Sequence, residues 1–383
     1  LNISATADPQ NRIVYILLIS LSEINLIMTN KLPLFFFLIL ITFSTPSLAQ
    51  GMHPQAQIDF VKNKIIQQEQ PYLDAYHQLL TFADSALTRS PRALADFDVP
   101  GFYIDAKMHR ENSRILQSDA FDAYACALAF RLGGERHYAD KAKEFLLAWA
   151  NTNKKYSNYD GSLVMAYSGT AMVNAAGLLM EGTDWLPTEQ EAVKGWVREV
   201  YQKACHEIRN RSNNWADWGR LGALLSASLL KDKADIQENI RLIKSDWDHK
   251  FAEDGHMPEE VRREANGIWY TYFSLAPITA ACWVVLQEEG TDFFDVGSDQ
   301  GKSLKAALDY LLRYSKNPEE WKWFDNPNPP RVGRWPGNLF EAMHKLMEEP
   351  GYAAYVEQGR PWIYPEHHFA WTFPSLMKPM KSY

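Results

Sequence analysis

The sequence predicts an all-α fold of the α/α-toroid type, an incomplete barrel of antiparallel helix pairs. Three observations predict it. Apolar residues recur at a 3.6-residue period almost throughout from His53 onward. Helices apolar nearly all round alternate with helices apolar on one side only. No series of alternating strands and no Pro/Gly/Ser linker divides the chain. A helix that is apolar on every side must be surrounded by others, whereas an amphipathic one keeps a side for water. Inner and outer helices taking turns therefore describe a ring of helical pairs.

Two periodic segments, 56–68 and 73–88, open the series and are separated at Gln70-Pro71. A polar, aromatic loop is expected from Val99 to Arg114. An inner helix follows, 116–132, with Phe121, Tyr124, Cys126 and Phe130 on different sides and Gly133-Gly134 as a left-handed stop. Its neighbour, 138–150, is amphipathic. Met165 to Met180 is again small and apolar. Thr188 then opens an amphipathic helix, 189–209, with Glu191 placed as a capping-box partner. Segments 221–230 and 269–286 read as inner helices, and 235–250 and 302–314 as outer ones. The stretch 315–338, rich in Pro, Asn and Trp, reads as loop.

The first fifty residues are of another kind. Lys31 precedes an apolar run, Leu32 to Phe43, followed by small residues at Ser47-Leu48-Ala49, the pattern of a secretory signal starting at Met28. Residues 1–27 are expected to be upstream sequence, 28–49 the signal, and 50–383 a single secreted domain, periplasmic by its free thiols. No later segment reaches the roughly 18 to 20 uninterrupted apolar residues of a membrane span, so no membrane association is expected once the signal is removed. The chain carries a net charge of −8, and the signal region's acids balance its bases. An acidic balance excludes sequence-independent nucleic-acid binding, which needs a basic surface, but leaves room for an anionic sugar held by local arginines. Cys126, Cys205 and Cys282 are odd in number and fit neither zinc nor disulfide spacing, so buried free thiols are expected. No metal or cofactor motif is present.

Two stretches carry chemistry. The first, Asp254 to Pro277, joins a charged loop with His256, Glu259, Glu260, Arg262 and Arg263 to an aromatic run with Trp269, Tyr270, Tyr272 and Phe273. On one continuous helix Arg263 and Tyr270, seven residues apart, share a face. Arginine matches a carboxylate with a bidentate fork, and its field lowers the pKa of a nearby phenol so that the phenolate serves as a base. The second is Ser212-Asn213-Asn214-Trp215-Ala216-Asp217-Trp218. One asparagine is expected to cap the helix starting there, leaving the other to neutralise a carboxylate while the indoles form a sugar platform.

The combination of an Asn-Asn tract, a later arginine, six intervening residues and a tyrosine resembles the alginate lyases of the α/α-toroid type and the wider alginate lyase superfamily. Asn213 and Asn214 match the family's asparagines, Arg263 its arginine and Tyr270 its catalytic tyrosine. The helix from Leu116, its Arg-Leu-Gly-Gly end and the helix start at Tyr138 belong to the resemblance as well, which spans most of 90–290. It implies β-elimination on a 1,4-linked uronic acid. Asn214 and Arg263 neutralise the C6 carboxylate, Tyr270 acts as base and then acid, and Asn213, Trp215, Trp218, Trp269, Tyr272 and Arg334 bind neighbouring sugars. One position departs from the pattern: Trp215 stands where the family has histidine. That histidine is associated with anti elimination on guluronate, so its loss leans toward mannuronate or glucuronate, on which one tyrosine suffices. His256 is the candidate for restoring an imidazole. No cofactor is implied. Two rival readings remain: a toroidal glycoside hydrolase of uronic-acid oligosaccharides using Asp217, Glu259 or Glu260, and a non-catalytic glycan-binding protein. His367 and His368 are expected to meet ligand or pack a loop rather than hold a metal.

Overall fold

The computed structural model describes residues 51–180, 185–297, 302–331 and 333–382; the expected upstream segment and signal lie outside them. Helices α1 (Gln55–Ile66) and α2 (Tyr72–Leu87) precede a short strand, β1 (Asp96–Asp98). Helices α3 (Ala106–Gly133) and α4 (Arg136–Thr152) lead to β2 (Lys155–Ser157), which pairs in parallel with β1, Phe97 opposite Tyr156. Next come α5 (Gly161–Met180) and α6 (Pro187–Trp196). The latter runs through a π-helical turn, Val197–Tyr201, into α7 (Gln202–Ile208). The chain continues with α8 (Asn214–Leu230), α9 (Lys233–Lys250), the single turn α10 (Pro258–Val261) and α11 (Gly267–Glu289). It closes with α12 (Leu304–Lys316), α13 (Gly337–Met347) and α14 (Pro350–Val356).

The predicted alternation is the architecture. α3, α5, α8 and α11 each pack against the next to form the inner layer, and their side chains are buried on nearly every side. The amphipathic α4, α7, α9 and α12 lie outside α3, α5, α8 and α11 respectively. The chain has the α/α-toroid fold. By length and composition α5 and the 264–289 segment containing α11 could cross a membrane, contrary to the sequence expectation. Their apolar windows are 89% and 83% buried within the fold, which makes them its core. Cys126, Cys205 and Cys282 are buried free thiols, as expected.

Several boundaries differ from the expectation for local reasons. α3 starts ten residues early because Asp105 caps it, its Oδ1 accepting the Met108 N–H at 2.9 Å. That places His109, Arg110 and Arg114 on a helix rather than a loop. α8 starts at Asn214, seven residues before the apolar pattern begins. At α6 the cap is not Thr188: Glu189 accepts the Leu186 N–H at 3.0 Å, and Pro187 is the first helical residue. Two strands are present among the described residues where none was expected; at three residues each they are too short for a period of two to show.

α7 and α8 approach closely at Gly219. A Cβ there would stand 2.7 Å from the Cys205 carbonyl oxygen and 2.8 Å from the Arg209 nitrogen, both backbone atoms that cannot swing away. Gly219→Ala must therefore push the two helices apart, with a loss of about 1 to 3 kcal/mol. It is read as a lower denaturation midpoint in urea; an unchanged midpoint would show the helices to be less closely packed than described.

Candidate active site

The site is assembled where the first turn of α8 meets the segment between α9 and α11. Asn213 is the cap of α8, its Oδ1 accepting the Trp215 N–H at 3.2 Å. Asn214 is therefore the asparagine left over. It is buried, and Glu260 on α10 grips it twice. The Asn214 backbone N–H donates to Glu260 Oε1 at 2.7 Å and Nδ2 donates to Oε2 at 2.8 Å. Beneath them lies a buried ionic network. Lys250 stands 2.9 Å from Asp217, and donates at 2.9 Å to the Ser212 carbonyl just before the asparagine pair. Arg220 meets Asp246 at 2.6 Å, and the Ser274 hydroxyl from α11 donates to Asp217. Each buried charge has a partner, the condition under which such groups are tolerated.

Arg263 and Tyr270 meet without sharing a continuous helix. The chain breaks after α10 into a 3-10 turn, Glu264–Asn266, with Glu264 at φ +51°, and α11 starts afresh at Gly267. The guanidinium nevertheless sits over the Tyr270 ring, Cζ 4.3 Å from its centroid. The Tyr270 hydroxyl lies 3.2 Å from that of Tyr103, in the loop before α3. The expected fall in the pKa of Tyr270 does not result. Burial and the Tyr103 hydroxyl push the phenol up to about 12, against the opposing pull of Arg263. Tyr270 is therefore a neutral phenol at pH 7.

These groups line one cavity of about 540 Å³ together with Asn213, Trp215 and Trp269. The sequence expectation placed other residues here that the structure does not. His256 is bonded to Asp254 and packed against Trp323, in a separate shallow hollow, because its loop turns toward α12. Trp218 is one helical turn below Asn214, inside the core against Tyr167 and Phe273. Tyr272 is also fully buried; two residues on from Tyr270 it points to another side of α11, where its hydroxyl donates to Asn338 at 3.0 Å. None of these three lines the cavity. Other residues do: Arg211 and Tyr159, which the sequence did not single out, His109 from the polar loop region, and His367, expected to meet ligand or pack a loop. Arg211 stacks on Trp215 at 3.8 Å, with Tyr159 at its edge. His109 bonds the Pro100 carbonyl through Nδ1 at 2.9 Å and stands 3.2 Å from Asp160. His367, at φ +53°, stacks on Tyr167, and burial together with His109 lowers its pKa to about 4, so it is neutral.

A second cavity, of about 900 Å³, adjoins the first and shares Phe102, His109, Tyr167 and His367 with it. Arg89, Arg92, Arg110, Arg114, Arg331 and Arg334 all line it, against the carboxylates of Asp122 and Glu366. Arg89 is held by Asp122 at 2.6 Å and Arg334 by Glu366 at 3.0 Å, while Arg110 lies over the Phe102 ring at 5.0 Å. Arg334, expected to bind substrate, thus belongs to this second cavity. In a protein of net charge −8 the cleft is locally basic, an arrangement that draws anions to one face. No cluster of metal-ligating side chains occurs among the described residues.

Comparison with known proteins bears on the family and the fold. The alginate lyase family model matches residues 63–321. The chain is similar to the crystal structure of an alginate lyase from Bacteroides ovatus, with 21% identity, a TM-score of 0.65, and coverage of 81% of this chain and 95% of that one. It is also similar to alginate lyase A1-III from Sphingomonas species A1, with 16% identity, a TM-score of 0.68, and coverage of 87% and 96%. A Tyr-to-Phe variant of that lyase, complexed with a tetrasaccharide, matches with 16% identity, a TM-score of 0.67, and coverage of 88% and 96%. At these identities the likeness shows the fold. No curated protein sequence matches the chain.

Proposed function

We propose a reaction for a chain that belongs to the alginate lyase family and is a polysaccharide lyase: β-elimination on a 1,4-linked uronic-acid polymer, of mannuronate or glucuronate type, with Tyr270 as base and acid. The observation that carries this reading is the convergence of Asn214, Arg263 and Tyr270, from two separate segments, on one cavity. The carboxylate of a uronate lies between Asn214 and Arg263, whose donors meet the charge that builds up as C5 loses its proton. The Tyr270 oxygen takes that proton. The electron pair of the C5–H bond forms the C4=C5 double bond, the C4–O bond breaks, and its pair leaves on the glycosidic oxygen, which takes the proton back from Tyr270.

Two features favour the syn course over the anti one. Trp215 stands in place of the family's histidine, covered by Arg211 and without a titrating group. His256, the candidate replacement, faces another hollow. His109 and His367 do line the cavity, and they are the groups that a guluronate-cleaving course would use. The arginine-lined cavity continues the path and suits an anionic polymer, whose further carboxylates would run past Arg110 and Arg114. With the secretory reading of residues 28–49, the reaction belongs outside the cytoplasm, in the periplasm.

The direct test is ultraviolet absorbance of the conjugated product from residues 50–383 with poly-mannuronate, poly-guluronate, glucuronan and a glycosaminoglycan. A rise on mannuronate or glucuronan is expected, lost by a factor of about 10² to 10⁴ in Tyr270→Phe and unaffected by His256→Ala. A rise confined to poly-guluronate, abolished by replacing His109 or His367, would overturn the syn course. Reducing ends without absorbance would point to hydrolysis, and binding without products to a glycan-binding protein.

The basic cavity generates a further expectation. Arg110→Ala with Arg114→Ala should raise KM for the polymer about three- to tenfold, in line with exposed ion pairs of at most about 1 kcal/mol each, with kcat little changed. The salt dependence of KM should flatten at the same time. Equal effects on a disaccharide too short to leave the catalytic cavity would refute this path.

A further inference from the structure

The amide of Asn214 faces the wrong way for its role. Its Nδ2 and backbone N–H are both held by Glu260, so the polar atom left over is Oδ1, which is buried and has no partner. A carbonyl oxygen repels a carboxylate; the NH2 end is the one that neutralises it. One proton resolves both the orphaned oxygen and the missing donor. A neutral Glu260 still accepts the backbone N–H at Oε1, but its Oε2 now carries a hydrogen to give. The amide then turns over in place.

We propose that Glu260 is a positioning residue that works in its neutral form: its Oε2–H holds Asn214 by Oδ1 and turns Nδ2 toward the carboxylate of the bound uronate. The inference rests on the β-elimination reading, which is what requires a donor at Asn214. Glu260 is 1% exposed. The charged groups that act on it are Asp217 from α8, Lys250 from α9 and Arg263 from the turn after α10, with Arg220 and Asp246 behind them acting on Asp217. Lys250 is already bound to Asp217 and Asp246, and Arg220 to Asp246, so neither cation is committed to Glu260. Burial and Asp217 push its carboxyl up to about 7, against the pull of Asn214 and Lys250. Both forms are therefore present near neutrality. A uronate carboxylate arriving beside Asn214 adds a like charge, which favours the neutral form further.

The pH profile of kcat/KM, which reports the free enzyme, separates this role from a merely structural one. The working form has Tyr270 ionised and Glu260 protonated. With Tyr270 at about 12 and Glu260 at about 7, its fraction climbs about tenfold per pH unit below neutrality. Above pH 7 the profile is level, because each gain in phenolate is cancelled by an equal loss of neutral Glu260. Glu260→Gln is a permanent copy of the neutral form, with Oε1 accepting the backbone N–H and Nε2 donating to Oδ1. Its kcat/KM should keep climbing, to about 100-fold above the wild-type plateau at pH 9, two units of about tenfold each. Glu260→Ala, which holds neither atom, should be low at every pH.

A Gln variant that bends at the same pH as wild type would overturn the proposal. Should it fail to fold, carboxyl ¹³C NMR of Glu260 gives the answer in a folded protein, using Tyr270→Phe with and without a mannuronate tetrasaccharide. Occupation is expected to keep Glu260 protonated to higher pH, and a carboxyl that ionises more readily when the sugar is bound would overturn the proposal. Absence of unsaturated product from wild type at any pH is a different failure, that of the elimination reading, and removes this inference with it.

Discussion

The double hydrogen bond between Glu260 and Asn214 is the constraint on which the site depends. Asn214 belongs to the first turn of an inner helix, and Arg263 and Tyr270 lie in and after an irregular crossing between an outer helix and the next inner one. Packing of α11 on α8 brings the two segments together, and Glu260 ties the crossing itself to α8, bonding both the backbone and the side chain of Asn214 at 2.7 and 2.8 Å. Two bonds from one carboxyl fix direction as well as distance. The buried pairs under it, Lys250 with Asp217 and Arg220 with Asp246, tie α8 to the outer helix α9. Replacing a partner would strip a buried charge of part of its compensation, the costly direction, so the polar floor of the site behaves as a unit.

The alternation of inner and outer helices was legible because burial on one side or on all sides writes itself directly into residue periodicity. The pair Asn213 and Asn214 was legible to the point that one caps and one is left over. Which does which follows from the start of α8, and that start is polar, so the apolar pattern put it seven residues late. Trp218 and Tyr272 were misplaced for one reason. Trp218 lies one turn deeper into the fold than Asn214, and Tyr272 lies on another side of α11 from Tyr270, so both are in the core. Tyr159 and Arg211 carry no local signal, since what brings them to the cavity is contact between segments far apart in the chain. His367 had at least the mark of an unusual neighbourhood, in the Glu-His-His-Phe run.

The distribution of charge also separates from its total. A chain of net charge −8 presents six arginines in a single cavity beside the site. Pairing with Asp122 and Glu366 uses part of that charge, and stacking of Arg110 on Phe102 holds another guanidinium without a carboxylate. Cation–π contact fixes a guanidinium's plane while leaving its edge free to donate. The same device recurs inside the catalytic cavity, where Arg211 covers Trp215. Indole and guanidinium together make a wall that is flat, apolar on one side and able to donate at its rim, which is what a charged sugar ring presents in complement.

Arg263 over Tyr270 is a third instance, and here the stacking bears on the chemistry. Burial makes ionisation of the phenol unfavourable, and a substrate carboxylate left unneutralised would make it more so. The guanidinium favours the ionised oxygen and also lies over the ring, its Cζ 4.3 Å from the centroid. A phenolate spreads its charge from the oxygen into the ring, so a cation over the ring face gains attraction as the proton leaves. In the proposed elimination the same oxygen, which meets the Tyr103 hydroxyl at 3.2 Å, receives a proton from C5 and returns it to the leaving oxygen. A phenol held near 12 gives a strongly basic oxygen once ionised. Under the proposed reading, a cation over the ring face supports the phenolate between the two proton transfers.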